Sequence, residues 1–332
     1  MEKVVKKPFI EIVMNNKDVS HILNKYVLSV RYTDYLKGQA DELEITLKNP
    51  DNLFNGDWYP TKGDKVSAKI GYAGDDKILN CGTFTIDEPE FSGGSEGETA
   101  IIKGLAASIK QSTREKCSKQ YINKTLIQIA QEIGEKHSFT VQGEEGFLKI
   151  AYVAQFDETD LAFLYRISEQ YGYIFKITDD VLTFTKLDIL EKSESLLTLT
   201  RKDLASYTFT DTSTKTYKAC RVQYYNPKTG KYQSVTVKGS KTDTKGDTLK
   251  IREKFQTKEQ AEARAKAGLK NGQKTVTGTI SLKKGNPYCI SGANFNLAGF
   301  ALFDGKYKIT QATHEVTSDN YTTNMEIDKI AA

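Results

Sequence analysis

Histidines are the scarcest of the side chains able to do acid–base or nucleophilic chemistry. His21, His137 and His314 lie far apart, and none has a second histidine at ligand spacing. Histidine signals function through a partnered site, so each reads as a surface or structural residue. The four cysteines, Cys81, Cys117, Cys220 and Cys289, form no Cys-x-x-Cys pair. Neither a zinc site nor a disulfide framework is indicated, and reduced, buried thiols of a protein made in cytoplasm fit best. The carboxylate neighbours Asp75-Asp76, Glu144-Glu145 and Asp179-Asp180 are adjacent in turn-like sequence, whereas acid–base pairs converge across a cleft. One motif stands out: Gly93-Gly94-Ser95-Glu96-Gly97 matches the G-x-S-x-G nucleophile elbow of hydrolases. That elbow needs an apolar strand before it and a helix after it. Here acidic Asp87–Ser92 precedes and strand-like Thr99-Ala100-Ile101-Ile102 follows, so a hairpin loop explains the same glycines. No catalytic, cofactor-binding or metal-ligating residue is assigned, and no cofactor is expected.

The elements around these residues are set by composition and period. At 332 residues the chain has room for about two domains. With 38% apolar and 27% charged residues it is a folding sequence, not a disordered or collagen-like one. Its 34 Thr, 18 Tyr and 15 Phe favour half-buried pleated surfaces and hence strands. No apolar run approaches the ~18–20 residues that span a bilayer. The basic N-terminus is followed by no apolar core with a cleavage site, so no signal peptide is expected. Charge is divided: residues 1–205 hold 26 Lys+Arg against 32 Asp+Glu, and residues 206–332 hold 21 against 11. Residues 206–258 are the most basic stretch, with Tyr207, Tyr217, Tyr224, Tyr225 and Tyr232 interleaved. Such a stretch can stack and neutralise single-stranded nucleic acid, or form amphipathic strands with Tyr inward and Lys outward. Only 7 of the 47 basic residues are Arg, the side chain that reads phosphate and guanine bidentately.

Residues 8–105 read as short strands between Gly- and Asp-rich turns, a β domain of barrel or sandwich type. Asp41–Leu47 alternates polar and apolar positions, and Lys65–Tyr72, Gly82–Asp87 and Thr99–Leu105 are further strands. Residues 106–205 change character. Asn123 or Thr125 can cap a helix through Leu126, Ile129, Ala130 and Ile133, with Gly134 as its end. A second helix runs from about Thr159 to Tyr171, with Leu161, Leu164, Ile167 and Ser168 on one side and Gly172 as a stop. The alternating arms Tyr173–Thr178 and Val181–Thr185, linked by Asp179-Asp180, form a hairpin. Strands return in 206–332, beginning with a Tyr217–Tyr225/Lys231–Lys238 hairpin and interrupted by a helical insertion at about 240–273. There Thr257–Gln260 fits a capping box and Ala261, Ala265 and Leu269 a buried stripe. The fold class is therefore mainly β, two β domains around an α+β insert.

Several stretches, in order, carry a resemblance. Asp160–Tyr173 with the Ile174–Phe184 hairpin resembles the central signature of the phage late control D family, the baseplate hub proteins of contractile tails. Gln256–Ala265 is similar to that family's alanine-rich helix. Leu297–Phe300, Tyr307–Thr310, His314 and Tyr321–Glu326 look like its closing strands, and Lys62–Val66, Ile70–Tyr72 and Gly82–Phe84 like its first barrel. The resemblance implies two tube-protein-like β-barrels per chain, so that a homotrimer presents six barrels in a ring. It implies no enzyme but a structural hub, in a phage or a phage-tail-like bacteriocin, adapting a sixfold tail tube to a threefold central spike. Implied partners are the tube or tube-initiator protein and a separate spike polypeptide, together with tape-measure and baseplate wedge proteins. No membrane anchor is implied, nor any nucleic acid beyond what passes through the lumen. Such a chain is assembled in the cytoplasm into the baseplate and released by lysis. Two other readings stand beside it: a nucleic-acid-binding module through 206–258 and a Ser95 hydrolase.

Overall fold

Alternation of polar and apolar residues builds most of the chain into strands. In the computed structural model, Glu42–Lys48 buries Leu43, Ile45 and Leu47 on one face and turns Glu42, Glu44 and Thr46 to the other. The structure describes residues 6–330 except 38, 96, 107–114, 144–147, 212–216, 228, 240–246 and 273–275. The first half holds β1 (Pro8–Met14), β2 (Lys17–Asp18), one helical turn α1 (Ser20–Leu23), β3 (Val27–Tyr35), β4 (Glu42–Lys48), β5 (Lys65–Tyr72), β6 (Leu79–Gly94) and β7 (Gly97–Ala106). Next come β8 (Lys116–Thr125), α2 (Leu126–His137), β9 (Thr140–Gly143), β10 (Lys149–Thr159), α3 (Asp160–Tyr171), β11 (Tyr173–Thr178), β12 (Val181–Lys186) and α4 (Leu187–Lys192). The remainder holds β13 (Ser195–Leu199), β14 (Leu204–Asp211), β15 (Ala219–Asn226), β16 (Lys231–Lys238), β17 (Thr248–Phe255) and α5 (Lys258–Gly272). It closes with β18 (Val276–Leu282), β19 (Asn294–Leu297), β20 (Gly305–Thr317) and β21 (Tyr321–Lys329).

The two β halves are hydrogen-bonded into one sheet of 13 strands, in the order β14-β18-β21-β20-β3-β4-β7-β6-β5-β1-β2, with β13 and β19 joining through β20. The long strand β20 makes the crossing. Its first residues pair with β19 and its last seven with β3, while β21 runs along its other edge. Tyr307 and Ile309 face a core with Phe295, Met325 and Ile327, and Val316 faces a second core with Val30, Ile45, Phe84 and Tyr321. A register shift between Ile309 and Gln311 allows this, because the extra residue moves the inward parity from odd to even positions.

Between the halves sits the α+β unit: the ribbon β8–β10, the sheet β11-β12-β9, and helices α2 and α3 over a core of Tyr121, Ile129, Phe163, Leu164, Ile167 and Phe184. Thr125 and Gln128 form a reciprocal capping box on α2. Thr159 caps α3, and Gly172 ends it with a φ of 72°. Gly134 does not end α2, which continues to His137. A Cβ there would lie 2.4 Å from Val141 Cγ2, so this glycine serves close packing.

Three boundaries differ from the sequence expectation. β13 pairs in parallel with β19 and β14 antiparallel with β18, so both belong to the main sheet and the α+β unit ends with α4. The expected 217–238 hairpin leaves the second β half altogether. β15 and β16 join β17 in a separate sheet, and α5 packs on it through Ala261, Ala265 and Leu269. The insertion is thus a β-sheet-and-helix excursion over 219–272 in place of a helical one at 240–273. Hairpin signals are local and do not say which sheet an arm will join.

Candidate assembly surface and its supporting junction

The residues singled out for chemistry are dispersed. His21 is exposed on α1. His314 is fully buried: its Nε2–H donates to the Cys289 carbonyl at 3.0 Å, and the Tyr321 hydroxyl donates to Nδ1 at 2.9 Å. Burial holds its pKa down at about 4, so it is neutral in the fold. All four cysteines are free, and burial pushes the Cys289 thiol up to about 12. Ser95 is exposed at the tip of the β6–β7 hairpin, whose arms pair down to Gly94 and Gly97; a strand follows where an elbow needs a helix. Asp75 lies in a turn and accepts from Lys6 at 2.7 Å. The Asp179-Asp180 link closes β11–β12, and Asp179 accepts from the Thr83 N–H. Glu144-Glu145 and Glu96 lie outside the described residues. Among the described residues no group of three or more His, Cys, Asp or Glu side chains is placed to hold a metal.

Two ionic clusters were not visible in the sequence. The first lies within the α+β unit. Asp160, buried at the start of α3, accepts from Lys136 and His137, each at 2.7 Å, from Gln155 at 2.9 Å and from the Cys117 thiol at 3.2 Å. Burial pushes its carboxyl up, but the bonds from Lys136, Gln155 and His137 outweigh it and hold the group well below the usual carboxylate range. Cys117, His137 and an aspartate are thus together, with the aspartate between thiol and imidazole, an arrangement that locks β8, α2, β10 and α3.

The second cluster joins three units. Lys176 on β11 reaches Asp34 and, at 3.0 Å, Asp41, on either side of the β3–β4 turn. Asp34 also accepts from the Ser291 hydroxyl at 2.6 Å and amide at 2.8 Å, and Asp41 from the Tyr32 hydroxyl and Tyr35 amide. Burial presses the Lys176 pKa down, but Asp34 and Asp41 more than offset it and hold the ammonium charged. Leu36, Ile174 and Leu187 form a small apolar core beside it. On α4, Glu191 takes Lys270 of α5 at 2.7 Å and the buried Lys308 of β20 at 2.9 Å. The insert is therefore fixed to the sheet by charges set in apolar surroundings, and a groove of about 750 Å³ remains between Tyr165 of α3 and the sheet.

What the junction supports is one broad polar surface. Across the sheet from β14 to β3, Thr208, Thr279, Glu326, Gln311 and Tyr35 are successive partners. Two rows further along the same face, Thr322, Glu315, Arg31, Glu44, Lys103 and Glu88 alternate in charge after the first member. Arg31 lies 3.3 Å from Glu315 and 3.9 Å from Glu44, bridging the two β halves at the surface. Opposite charges on neighbouring strands favour this register, each pair adding roughly 0–1 kcal/mol at such exposure.

This architecture is that of phage tail proteins. The 43 kDa tail protein of prophage MuSo2 from Shewanella oneidensis superposes with a TM-score of 0.71 at 14% identity, over 96% of this chain and 98% of that one. Residues 86–320 match the model of the phage tail baseplate hub (GPD) family, and the chain belongs to that family. It is 24% identical over 239 residues to the probable baseplate hub protein of Escherichia phage 186, and 24% identical over 198 residues to that of Escherichia phage P2. Those matches cover 70% and 58% of this chain, and 60% and 50% of the relatives' length.

Proposed function

We propose that the chain is a structural hub of a contractile tail, a homotrimer that adapts a sixfold tail tube to a threefold central spike. The observation that carries the reading is the pair of β cores strung on one hydrogen-bonded sheet. Two tube-like barrels held at fixed spacing in each chain let three chains present six similar modules. Symmetric closure then covers strand edges that would otherwise invite aggregation, such as the outer edge of β14. The tube or tube-initiator protein would meet one end of the ring and the spike the other, with tape-measure and wedge proteins as further neighbours. Assembly in the cytoplasm and release by lysis follow from that role; among the described residues no helix is long and apolar enough to cross a membrane.

Family membership and the polar sheet surface support this reading, which assigns the chain no catalytic step. Light scattering on the chain alone and with its spike protein tests it. A trimer of about threefold the monomer mass that binds the spike is expected; a monomer indifferent to tube and spike proteins overturns it. Ser95→Ala particles should infect or kill as wild type does, and loss of that activity with intact assembly would restore the hydrolase reading.

A further inference from the structure

Among the described residues the excursion sheet is covered on one face. Val222, Leu249 and Ile251 turn to α5, while the other face shows Arg221, Gln223 and Tyr225 of β15, Ser234 and Lys238 of β16 and Lys250 of β17. Arg221 stands directly opposite Lys250, and Arg252 is exposed at the bulge just beyond. Like charges so placed are destabilising. Among the described residues no carboxylate pairs with Arg221, Lys238, Lys250 or Arg252. Among the described residues the one hydrogen bond to their side chains is Arg221 donating to the Ser234 hydroxyl at 3.1 Å. Tyr225 and Tyr232, both exposed, meet edge to face with ring centres 5.6 Å apart. That pairing occupies a ring face that a stacked base would need, and so favours a protein partner over single-stranded nucleic acid.

The complementary surface is on the same chain. Beyond Ile86, β6 leaves the end of β5, and Asp87–Gly94 projects with β7 as a hairpin arm. The arm carries Asp87, Glu88, Glu90 and Glu98, of which Glu88 and Glu90 share one face while Glu98, opposite Gly93, turns to the other. Glu90 pairs with Lys103 at 2.7 Å, and among the described residues the other three make no ion pair. Asp87–Gly94 and each of β15, β16 and β17 are eight residues long, so arm and sheet match at about 26 Å. Pro89 lacks an N–H on the arm's outer edge, which argues for contact by side chains and not by strand addition.

We infer that the open face of β15–β16–β17 is an intersubunit docking surface whose occupant is the acidic β6–β7 arm of a second copy of this chain. The contact rests on the trimer reading above, to which it adds the surfaces that join neighbours: each copy gives an arm and receives one. Part of the divided charge of the sequence thereby lies on two facing surfaces.

The test is charge exchange in the full-length protein, read by sedimentation equilibrium. Arg221→Glu/Lys250→Glu/Arg252→Glu and Glu88→Lys/Glu90→Lys each place like charges in the contact and should weaken trimerisation by about tenfold or more. A chain carrying all five substitutions restores opposite signs and should regain wild-type association. All five side chains are exposed, and unchanged far-UV circular dichroism checks that each variant is folded. Reversed variants that trimerise like wild type, or a folded five-fold variant that fails to recover, overturn the inference. Normal trimerisation of the Arg221/Lys250/Arg252 variant with loss of a (dT)20 oligonucleotide bound by wild type would also overturn it, in favour of nucleic acid. A wild type that is monomeric at every concentration fells the trimer reading itself, a result distinct from a trimer insensitive to charge.

Discussion

The two ionic clusters do different work. The Asp160 cluster collects donors from inside the α+β unit and makes that unit rigid. The Lys176 cluster draws its carboxylates from the first β half and its hydroxyl from the loop before β19. It makes three units one body. A charge cluster within a unit can be lost and leave the rest of the molecule in place; one between units decides whether the halves of the sheet and the insert keep their spacing. The proposed role, matching a tail tube, calls for the second kind.

Removing Lys176 should separate the two cases most sharply. Lys176→Ala leaves Asp34 and Asp41 together without their cation, and breaking such a buried pair costs about 3–5 kcal/mol. Urea denaturation followed by hydrogen exchange should show that loss, with β11, β12 and α3 opening before the sheet. A loss under about 1 kcal/mol with a single cooperative transition would mean that the apolar contacts of Leu36, Ile174 and Leu187 suffice.

Acid should distinguish the clusters next. The loop that gives Ser291 to Asp34 also gives the Cys289 carbonyl to His314, so His314 reports on the junction side. Its pKa is about 4 in the fold against 6.5 when exposed. The unfolded chain therefore binds the extra proton first, and stability falls as pH drops from about 6.5 to 4, by about 3 kcal/mol in all. Thermal midpoints across that window should decline in wild type and much less in His314→Gln. A parallel decline in both would place the sensitivity elsewhere.

Asp160 answers in a lower window. Its folded pKa lies below the exposed value of 3.8, so its contribution is complete above that value and is lost as pH falls further. Asp160→Asn at neutral pH removes a charged acceptor from the buried His137 and Gln155 and the half-exposed Lys136, at a cost of about 2 kcal/mol. The variant should also show a shallower stability loss below pH 4, measured by urea midpoints. An unchanged acid slope would mean that other carboxylates govern it.

Much of the fold was legible because its signals are local. Thr125, Thr159 and Thr257 cap the helices they precede, and Asp179-Asp180 closes its hairpin. The clusters were not legible for the same reason. Asp160 reads as an ordinary acid in a first helical turn, and its partners Lys136, His137 and Cys117 are 23 to 43 residues away. Lys176 reads as the polar position of an alternating hairpin arm, and Asp34 is 142 residues distant. The β15–β16 hairpin is legible as a hairpin but its sheet is not, since a turn fixes the register of two arms and says nothing of the third strand.

The smallest effect tests how far the Asp160 cluster extends into its helix. Thr159 accepts from the Ala162 N–H at 3.2 Å, and Thr125 caps α2 in the same way through Gln128. Thr159→Ala and Thr125→Ala should each cost about 1 kcal/mol. The two caps differ in their neighbours: Thr159 adjoins Asp160, whereas Thr125 begins the helix whose far end supplies Lys136 and His137. Sites in contact couple and distant sites add. A double-mutant cycle of Thr159→Ala with Asp160→Asn should therefore depart from additivity by at least about 0.5 kcal/mol, and the cycle with Thr125→Ala should not. Coupling at both caps would mean that the cluster holds α2 and α3 as a single unit, and coupling at neither would confine it to the side chains that touch Asp160.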